Sequence, residues 1–376
     1  MYDWRPVENL DDVFTPALLF DVERIKFNMR RAVEMVGGET HRLRPHVKTH
    51  KCPEIVQLAL SAGIFKHKCA TLREAQMLAE CGAEDVLIAY QMVGPNAGAL
   101  ARLIAERPET RFSSVVDDLS AARGLNSAAE RQGVRVDVWI DLDVGMGRTG
   151  IAPDERAVQL CRQLRGFENL RLRGLHAYDG HNRVPDVDER RRTTEKILEV
   201  VRRLRGRLER IGFAELSIVA GGAPPFPFYA VQSDVEASPG TFALHDYGYS
   251  SRFPDLGFAP AAALATRIIS RPRPNIVCVD LGHKAIAADP SGARGVVLNL
   301  PDAEVGPQSE EHWTIRIPPH NALPRQADSG SDLKVGDALY ICPTHICPTV
   351  ALHNQALTVE NGIITGAWQI ERERLG

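Results

Sequence analysis

Two lysines, two histidines and an arginine lie close together in the segment RPHVKTHK, residues 44–51. The segment directly follows a strand-like stretch of sequence. A lysine amine that is crowded by other cations and partly desolvated has a lowered pKa, because both effects disfavour its charged form. Such an amine can attack a carbonyl carbon and form an imine. A solvated basic loop is the alternative, and the segment alone leaves Lys48 and Lys51 as candidates.

A second pair of reactive side chains lies near the C-terminus, in the segment PTHICPT, where His345 and Cys347 are two residues apart. In an extended strand both side chains leave the same face, with their Cα atoms roughly 7 Å apart. Imidazole and thiolate together favour zinc, and manganese or cobalt can replace it where availability decides. The spacing allows a divalent metal site at this pair, but taken alone it is a weak signal, since His-x-Cys also occurs by chance. A purely structural strand pair is the alternative.

The elements that must position these residues alternate along the chain. Between about residues 40 and 245, apolar strand-like runs are separated by amphipathic helical patterns, and the runs are RLRPHV, FKHKCA, DVLIAYQ, RFSSVV, VRVDVWIDL, RLRGLHAY, LSIVAGG and DVEASPG. This alternation predicts a parallel sheet with crossover helices. Eight such units after an initial helix, DVERIKFNMRRAVEMV, predict an α/β fold of the (β/α)8 TIM-barrel type. A doubly wound open sheet is the alternative, but no G-x-G-x-x-G follows the first strand.

The pattern changes after about residue 255, where strand-like runs and turn residues follow one another with little helical periodicity. We expect a barrel domain at residues 13–250 and a C-terminal all-β domain at residues 251–376, to which residues 1–12 can also belong. The second domain carries the candidate metal pair.

The C-terminal ends of barrel strands meet at one mouth, where barrel enzymes place their chemistry. The residues at these predicted ends are Lys48, Gln91, Arg148, Tyr178, His181, Gly221, Gly222, Gly240 and Thr241. The glycine turns can wrap an anion, because glycine permits the close approach that a phosphate group needs. The alternative is that these glycines only form ordinary turns between a strand and the following helix. Together the set predicts a cofactor site.

Composition excludes several partner classes. The net charge is only −3, so no basic surface for nucleic acid is expected. No run approaches the ~18 apolar residues of a membrane span, and the N-terminus lacks the layout of a signal peptide. Seven scattered cysteines are typical of a reducing cytoplasm. We expect a cytoplasmic enzyme that acts on small molecules.

The stretch TPALLFDVERIKFNMRRA, followed by RPHVKTHK, resembles the opening of the D-threonine aldolase and D-serine dehydratase family. These are pyridoxal-phosphate enzymes with an alanine-racemase-like barrel and a β domain. The segments DVGMGRTG, HAYDGH, AGG, SPGT and PTHICPT match as well, so the resemblance spans nearly the whole chain. It implies pyridoxal 5'-phosphate and a divalent metal (Zn, Mn or Co) as cofactors, and a homodimer.

The resemblance also implies roles for individual residues. Lys48 is the lysine that binds the cofactor covalently, and Lys51 supplies local positive charge. Arg148 contacts the substrate carboxylate or the cofactor ring. The other implied roles are cofactor packing for Tyr178, general base for His181, phosphate binding for Gly221, Gly222, Gly240 and Thr241, and metal binding for His345 and Cys347.

The family pattern leaves the reaction open. Ser238 stands where alanine racemases carry an arginine that bonds the pyridine nitrogen, which argues against a racemase. Cys347 is typical of the dehydratases, whereas some aldolases carry aspartate there. We predict an aldolase that cleaves β-hydroxy-D-amino acids of the D-threonine type to glycine and an aldehyde. The alternatives are a D-serine or 3-hydroxyaspartate dehydratase, a 3-hydroxyaspartate aldolase, and, less favoured, a racemase or a non-catalytic cofactor-binding protein.

Overall fold

The computed structural model describes residue 4, residues 6–317 and residues 333–372. Packing divides the chain into two compact units: residues up to Met29 with Thr241–Arg372, and Arg30–Gly240. These limits differ from the domain limits expected at residue 250, because the first strand pairs with strands of the C-terminal part. The assignment of functional domains at 13–250 and 251–376 stays a prediction. Among the described helices, none is long and apolar enough to cross a membrane.

The chain begins with strand β1 (Ala17–Asp21) and helix α1 (Val22–Met35), the initial helix predicted from sequence. The unit Arg30–Gly240 then contains seven strands: β2 (Lys66–Cys69), β3 (Asp85–Gln91), β4 (Arg111–Val116), β5 (Val136–Asp141), β6 (Leu170–Ala177), β7 (Ser217–Ala220) and β8 (Val235–Ala237). Its helices after α1 are α2 (Pro53–Ser61), α3 (Leu72–Glu80), α4 (Pro95–Glu106), α5 (Leu119–Gln132), α6 (Glu155–Leu164), α7 (Val187–Arg210) and α8 (Phe226–Ala230). Short 3-10 helices span Thr40–Arg42 and Val47–Thr49.

The seven strands form one parallel sheet in the order β2 to β8. Residues 43–46 join its two edges, since Leu43 bridges to Ala237 and His46 bridges to Lys68, both in parallel. The sheet therefore closes into the predicted barrel. The run RLRPHV, the first of the eight predicted strands, forms two single bridges rather than a regular strand, because Pro45 has no amide hydrogen to donate. Its carbonyl still accepts from the Lys68 amide at 2.8 Å.

A buried arginine holds this irregular closure together. The Arg44 amide donates to the Ala237 carbonyl at 2.9 Å. Its guanidinium, 1% exposed, donates to Asp85 of β3 and Glu236 of β8, each at 2.6 Å. Charge-assisted bonds of this kind are stronger than neutral ones. Arg44 thus joins both neighbouring regions of the sheet.

The helices of this unit begin and end at recognisable signals. At α5, Asp118 accepts a hydrogen bond from the Ala121 amide, and Gly133 ends the helix in the left-handed conformation. Asp154 and Asp186 cap α6 and α7 in the same way. Such caps satisfy amides that have no partner within the helix.

The other unit contains helix α9 (Tyr247–Arg252), a 3-10 helix (Pro254–Leu256) and the strands β9 (Ala262–Arg273), β10 (Ile276–Val279), β11 (Gly295–Val297), β12 (Glu304–Gln308), β13 (Trp313–Arg316), β14 (Ala338–Pro343), β15 (Gln355–Glu360) and β16 (Ile363–Gln369), with helix α10 (Ile346–Val350) after β14. The sheet order is β12-β13-β10-β9-β1-β15-β16, and β14 pairs with β9 and β11. The predicted C-terminal, mostly β architecture is confirmed.

The motif PTHICPT is not extended, which corrects the prediction. Strand β14 ends at Pro343, His345 occupies the N-cap of α10, and Cys347 lies in its first turn. Pro348 is tolerated there because first-turn amides have no acceptor within the helix. The buried Asp246 carboxylate accepts from the Ile346 amide at 3.0 Å and so stabilises the start of α10.

Candidate active site

A cavity of about 510 Å³ opens where the parallel strands of the barrel end. It is lined by His46, Lys48, Lys68, Ala70, Ala89, Tyr90, Gln91, Val93, Val115, Asp117, Asp141, Leu142, Met146, Arg148, Thr149, His176 and Tyr178. Of the residues predicted at the strand ends, Lys48, Gln91, Arg148 and Tyr178 meet here. The volume is that of a small-ligand site.

The structure separates the two candidate lysines of RPHVKTHK. Lys48 lies in the 3-10 turn after the barrel closure, where its amide donates to Nδ1 of His46 at 3.2 Å, and its side chain lines the cavity. Lys51 instead pairs with the buried carboxylate of Glu74. Burial and the charges of Lys48 and Lys68 lower the pKa of His46 well below its usual value, so its imidazole is neutral.

Three cations surround the ring of Tyr178. The guanidinium carbon of Arg148 lies 4.9 Å from the ring centroid, and the amines of Lys48 and Lys68 lie 6.0 Å and 5.9 Å from it. Cations are attracted to the faces of aromatic rings at such distances. The positive charges of the cavity are therefore clustered around the Tyr178 ring.

The loop that carries Arg148 is held by two carboxylates. Asp143 Oδ1 accepts from the amides of Gly145 and Gly147, each at 3.0 Å, and Asp117 accepts from the Gly150 amide at 2.8 Å. Gly150 has φ +100°, and a Cβ there would lie 2.5 Å from a backbone nitrogen. Only glycine fits this turn without strain.

Sequence reasoning missed a buried array in the same cavity. Lys68 Nζ lies 3.4 Å from His176 Nε2, and His176 Nδ1 lies 2.7 Å from Asp141 Oδ1. Lys68 is 2% exposed and His176 is 4% exposed. Both residues come from inside strands, β2 and β6, rather than from the loops after them.

Burial sets the protonation of this array. Burial, together with the charge of Lys48, lowers the pKa of Lys68 from 10.5 to about 7. Burial and the Lys68 charge also lower the pKa of His176. Burial opposes ionisation of Asp141, but the hydrogen bond and charge of His176 outweigh it and lower the pKa of the carboxyl. His176 therefore donates through Nδ1 to Asp141 and accepts through Nε2 from Lys68.

His181 is not among the described residues that line the cavity. Its side chain is exposed and lies against the Arg148 loop, since a Cβ on Gly145 would be 2.9 Å from His181 Nε2. Its role as a base stays a prediction.

Of the predicted phosphate turns, the one at Gly222 lies beside the Tyr178 ring. A Cβ on Gly222 would be 3.3 Å from a ring carbon of Tyr178. Gly221 has φ +92°, and its amide donates to the Ala177 carbonyl at 3.0 Å, so that amide is already used. A Cβ on Gly240 would be in ordinary van der Waals contact with His46 Cβ, 3.7 Å away. Phosphate binding at these positions stays a prediction, as it does for Thr241.

Ser238, the departure from the racemase pattern, has a structural partner. Its hydroxyl donates to the Arg44 carbonyl at 2.8 Å and supports the barrel closure.

The C-terminal pair converges although the segment is not extended. The side chains of His345 and Cys347 are hydrogen bonded, and that bond, with the Asp289 carboxylate, raises the pKa of His345 to about 9 although burial opposes this. Thr241 Oγ1 lies 3.8 Å from Cys347 Sγ. Within the described ranges no group of three or more His, Cys, Asp or Glu side chains is arranged to hold a metal. An ion at this pair would therefore keep open positions.

Both implied groups fit the residues present. The barrel cavity offers an amine at Lys48, an aromatic ring, two further cations and a glycine turn that a Cβ would crowd. These suit an aldehyde with an anionic group. Imidazole and thiol in contact are the donors that a zinc-like ion prefers.

Comparison with known proteins agrees with this assignment. The sequence profile "Alanine racemase, N-terminal domain" matches residues 20–230, and "Putative serine dehydratase domain" matches residues 261–359. The chain is 27% identical to a D-threonine aldolase of an Arthrobacter species over 97% of this chain and 94% of that one. It is 26% identical to the 3-hydroxy-D-aspartate aldolase of Paracoccus denitrificans strain Pd 1222, over 100% of this chain and 96% of that one.

The fold agrees as well. The crystal structure of D-threonine aldolase from Filomicrobium marinum superposes with a TM-score of 0.87 at 28% identity, covering 99% of each chain. The chain therefore belongs to the alanine-racemase-like family, with a C-terminal domain of the serine dehydratase type.

Proposed function

We propose that the protein is a pyridoxal-phosphate- and divalent-metal-dependent carbon–carbon lyase that cleaves β-hydroxy-D-amino acids of the D-threonine type to glycine and an aldehyde. The observation that carries the proposal is the Lys48 amine in the barrel cavity of a chain that matches a D-threonine aldolase over 97% of its length. The D preference rests on the relatives.

When bound, pyridoxal phosphate draws electrons from the amino-acid Cα, and a divalent ion acts as a Lewis acid on the substrate hydroxyl. Lys48 holds the cofactor covalently, while Arg148 and Tyr178 orient it or the substrate carboxylate. The turns at Gly221, Gly222, Gly240 and Thr241 receive its phosphate.

The metal is held by His345 and Cys347. His181 takes the proton of the substrate β-hydroxyl, which allows the Cα–Cβ bond to break. Its exposed position against the Arg148 loop leaves the imidazole accessible to a ligand.

A dehydratase acting on D-serine or 3-hydroxyaspartate is the second candidate. The serine dehydratase profile at residues 261–359 favours it, and so does a cysteine at position 347. In that reaction the Lys48 amine, displaced from the cofactor by the substrate amine, would remove the Cα proton; the hydroxyl would leave Cβ as water, and water would hydrolyse the released enamine to a keto acid and ammonia.

The products decide between the two reactions. The holoenzyme is incubated with D-threonine and manganese or zinc, and acetaldehyde plus glycine are assayed against 2-oxobutyrate plus ammonia. The first pair of products supports the aldolase. Inert D-threonine together with pyruvate from D-serine supports the dehydratase. L-Threonine is the stereochemical control.

The cofactor lysine is tested by the absorption of the bound cofactor. Lys48→Ala loses the yellow chromophore, whereas Lys51→Ala retains it, because Lys51 is held by Glu74 away from the cavity lining. The reverse result refutes the assignment.

We also propose that the enzyme works in the cytoplasm as a homodimer. All seven cysteines lie in the described part of the chain, and none of them forms a disulfide there, which is typical of a reducing compartment. The homodimer rests on the family resemblance, and light scattering of the purified protein tests it.

A further inference from the structure

An aspartate lies directly behind the candidate metal ligand His345. Asp289 Oδ2 is 2.6 Å from His345 Nδ1. Asp289 belongs to the loop between β10 and β11 and is far from His345 in sequence, so the fold brings them together. The bond occupies the ring nitrogen that Cys347 and an ion do not need.

The loop that carries Asp289 is fixed on both sides. On one side, the Ala287 amide donates to Thr349 Oγ1 at 3.1 Å. On the other, Thr344 donates through its amide to the Arg294 carbonyl at 2.8 Å and through its hydroxyl to the Ala293 carbonyl at 2.6 Å. Thr344 and Thr349 flank the His345–Cys347 pair. The aspartate and the histidine are therefore held in one local frame.

This bond decides which nitrogen of His345 carries the proton. A carboxylate can only accept, so Nδ1 donates to Asp289, and a metal ion that displaces the other ring proton finds the lone pair on Nε2. A metal ion binds that lone pair. A carboxylate behind a ligating histidine also makes the ligand more basic and restricts the rotation of its ring.

We propose that Asp289 is a positioning residue of the metal site, which orients His345 and holds its Nε2 ready for a divalent ion. The inference rests on the proposed metal role of His345 and Cys347. In this role Asp289 acts through His345, so its effect is on metal affinity and passes to activity only through the metal.

An exposed ion pair is the competing explanation. The side chains of Asp289 and His345 are 53% and 35% exposed, and exposed pairs contribute little to stability. If the pair were only that, removing the carboxylate would not change metal binding. The two explanations therefore differ in a measurable quantity.

The test measures Co²⁺ and Zn²⁺ affinity of the full-length holoenzyme by competition with a chromophoric chelator, and records the sulfur-to-cobalt absorption band. Asp289→Ala is expected to weaken binding by about 10–100-fold. Asp289→Glu is expected to restore part of the affinity. Both should retain the cobalt band, because Cys347 is unchanged, and activity should return at high metal concentration.

Glu310→Gln is the matched control. Glu310 is 66% exposed and pairs with Lys284 in the same unit, so the variant removes a somewhat more exposed carboxylate from a cation. Its metal affinity should stay within about twofold of the parent protein.

Three results overturn the inference. If Asp289→Ala has an unchanged metal affinity and an unchanged urea midpoint, Asp289 and His345 form only an exposed ion pair. Loss of the cobalt band in Asp289→Ala at saturating cobalt shows that the variant no longer binds the ion through Cys347, which a residue that only orients His345 would not cause. If the parent protein has no sulfur-to-cobalt band, the metal site fails, although the lysine and cofactor assignments stand.

Discussion

Replacing Lys68 by methionine should stabilise the protein, although Lys68 lies in the candidate active site. The amine is 2% exposed, and burial lowers its pKa from 10.5 to about 7. At neutral pH the unfolded chain keeps the charge in water, whereas the folded chain must either bury the charge or release the proton. Both cost free energy relative to the unfolded state. Methionine has a similar length and removes this cost.

The magnitude follows from the shift. Each pKa unit corresponds to about 1.4 kcal/mol, so a fall from 10.5 to about 7 costs the folded state about 4 kcal/mol at pH 7. The variant also loses the hydrogen bond to His176, which offsets about 1 kcal/mol. We expect Lys68→Met to raise the free energy of unfolding by about 3 kcal/mol at pH 7.

The stability difference between the parent protein and Lys68→Met should depend on pH. The folded pKa lies below the unfolded one, so the destabilisation is fully present below about pH 7 and fades as the pH rises towards 10.5. In this interval the unfolded chain binds more protons than the folded chain. The stability of the parent protein should therefore rise relative to the variant, and the two should converge near pH ~10.

The assay is urea unfolding of the cofactor-free chain at pH 7 and pH ~10, followed by one spectroscopic probe throughout. Lys66→Met is the control, since Lys66 lies on the same strand but is 28% exposed and pairs with Glu236. It should not be stabilised. If Lys68→Met is no more stable than the parent at neutral pH, or the gap does not shrink as pH rises, the burial argument is wrong.

Three further substitutions test the supporting structure. Arg44→Met removes the buried cation between Asp85 and Glu236 and leaves these carboxylates only the partly exposed Arg111 and Lys66 as partners; it should lower the free energy of unfolding by about 3–5 kcal/mol in urea titrations. Gly221→Ala places a methyl group 2.5 Å from the ring of Tyr229 at φ +92°, which should cost about 1–3 kcal/mol and weaken cofactor retention measured by absorbance. Asp246→Ala leaves the buried amide of Ile346 unsatisfied, which should lower the free energy of unfolding by about 1–3 kcal/mol. It should also lower the metal affinity measured by chelator competition. An unchanged metal affinity would show that the start of α10 does not depend on this cap.

The barrel and the residues at its mouth were predictable from sequence for one physical reason. Strands of a closed parallel sheet are buried on both faces, so they stand out as apolar runs, and their C-terminal ends must meet. Lys48, Arg148 and Tyr178 follow three such runs, and the structure places them around one cavity. Their chemical roles remain proposals.

The Lys68–His176–Asp141 array was not predictable in the same way. These residues lie within strands, and strand periodicity does not tell which face of a doubly buried strand points into the barrel. A signal was present, because the strand KHKC of β2 is entirely polar apart from its cysteine, although a buried parallel strand is normally apolar. The lysine at its C-terminal end was the residue to examine.

Spacing predicted that His345 and Cys347 come together, and they do, but in a different conformation from the extended one; their metal role stays a proposal. A separation of two residues brings side chains together in an extended strand, and it also does so between an N-cap and the first helical turn. Spacing alone does not distinguish these conformations. Asp289 could not be found from sequence, because a loop distant along the chain supplies it.

The irregular closure at residues 43–46 affects where the barrel should open locally. Its amides have backbone acceptors, but a single bridge joins it to each neighbouring strand, so its hydrogen exchange with solvent should be the fastest within the sheet. Lys48 follows directly, and whatever becomes attached to that side chain also tethers the least protected strand of the barrel. Occupancy of the cavity should therefore slow exchange at residues 43–46 more than at β5 on the far side, which makes this seam a natural reporter of ligand loading.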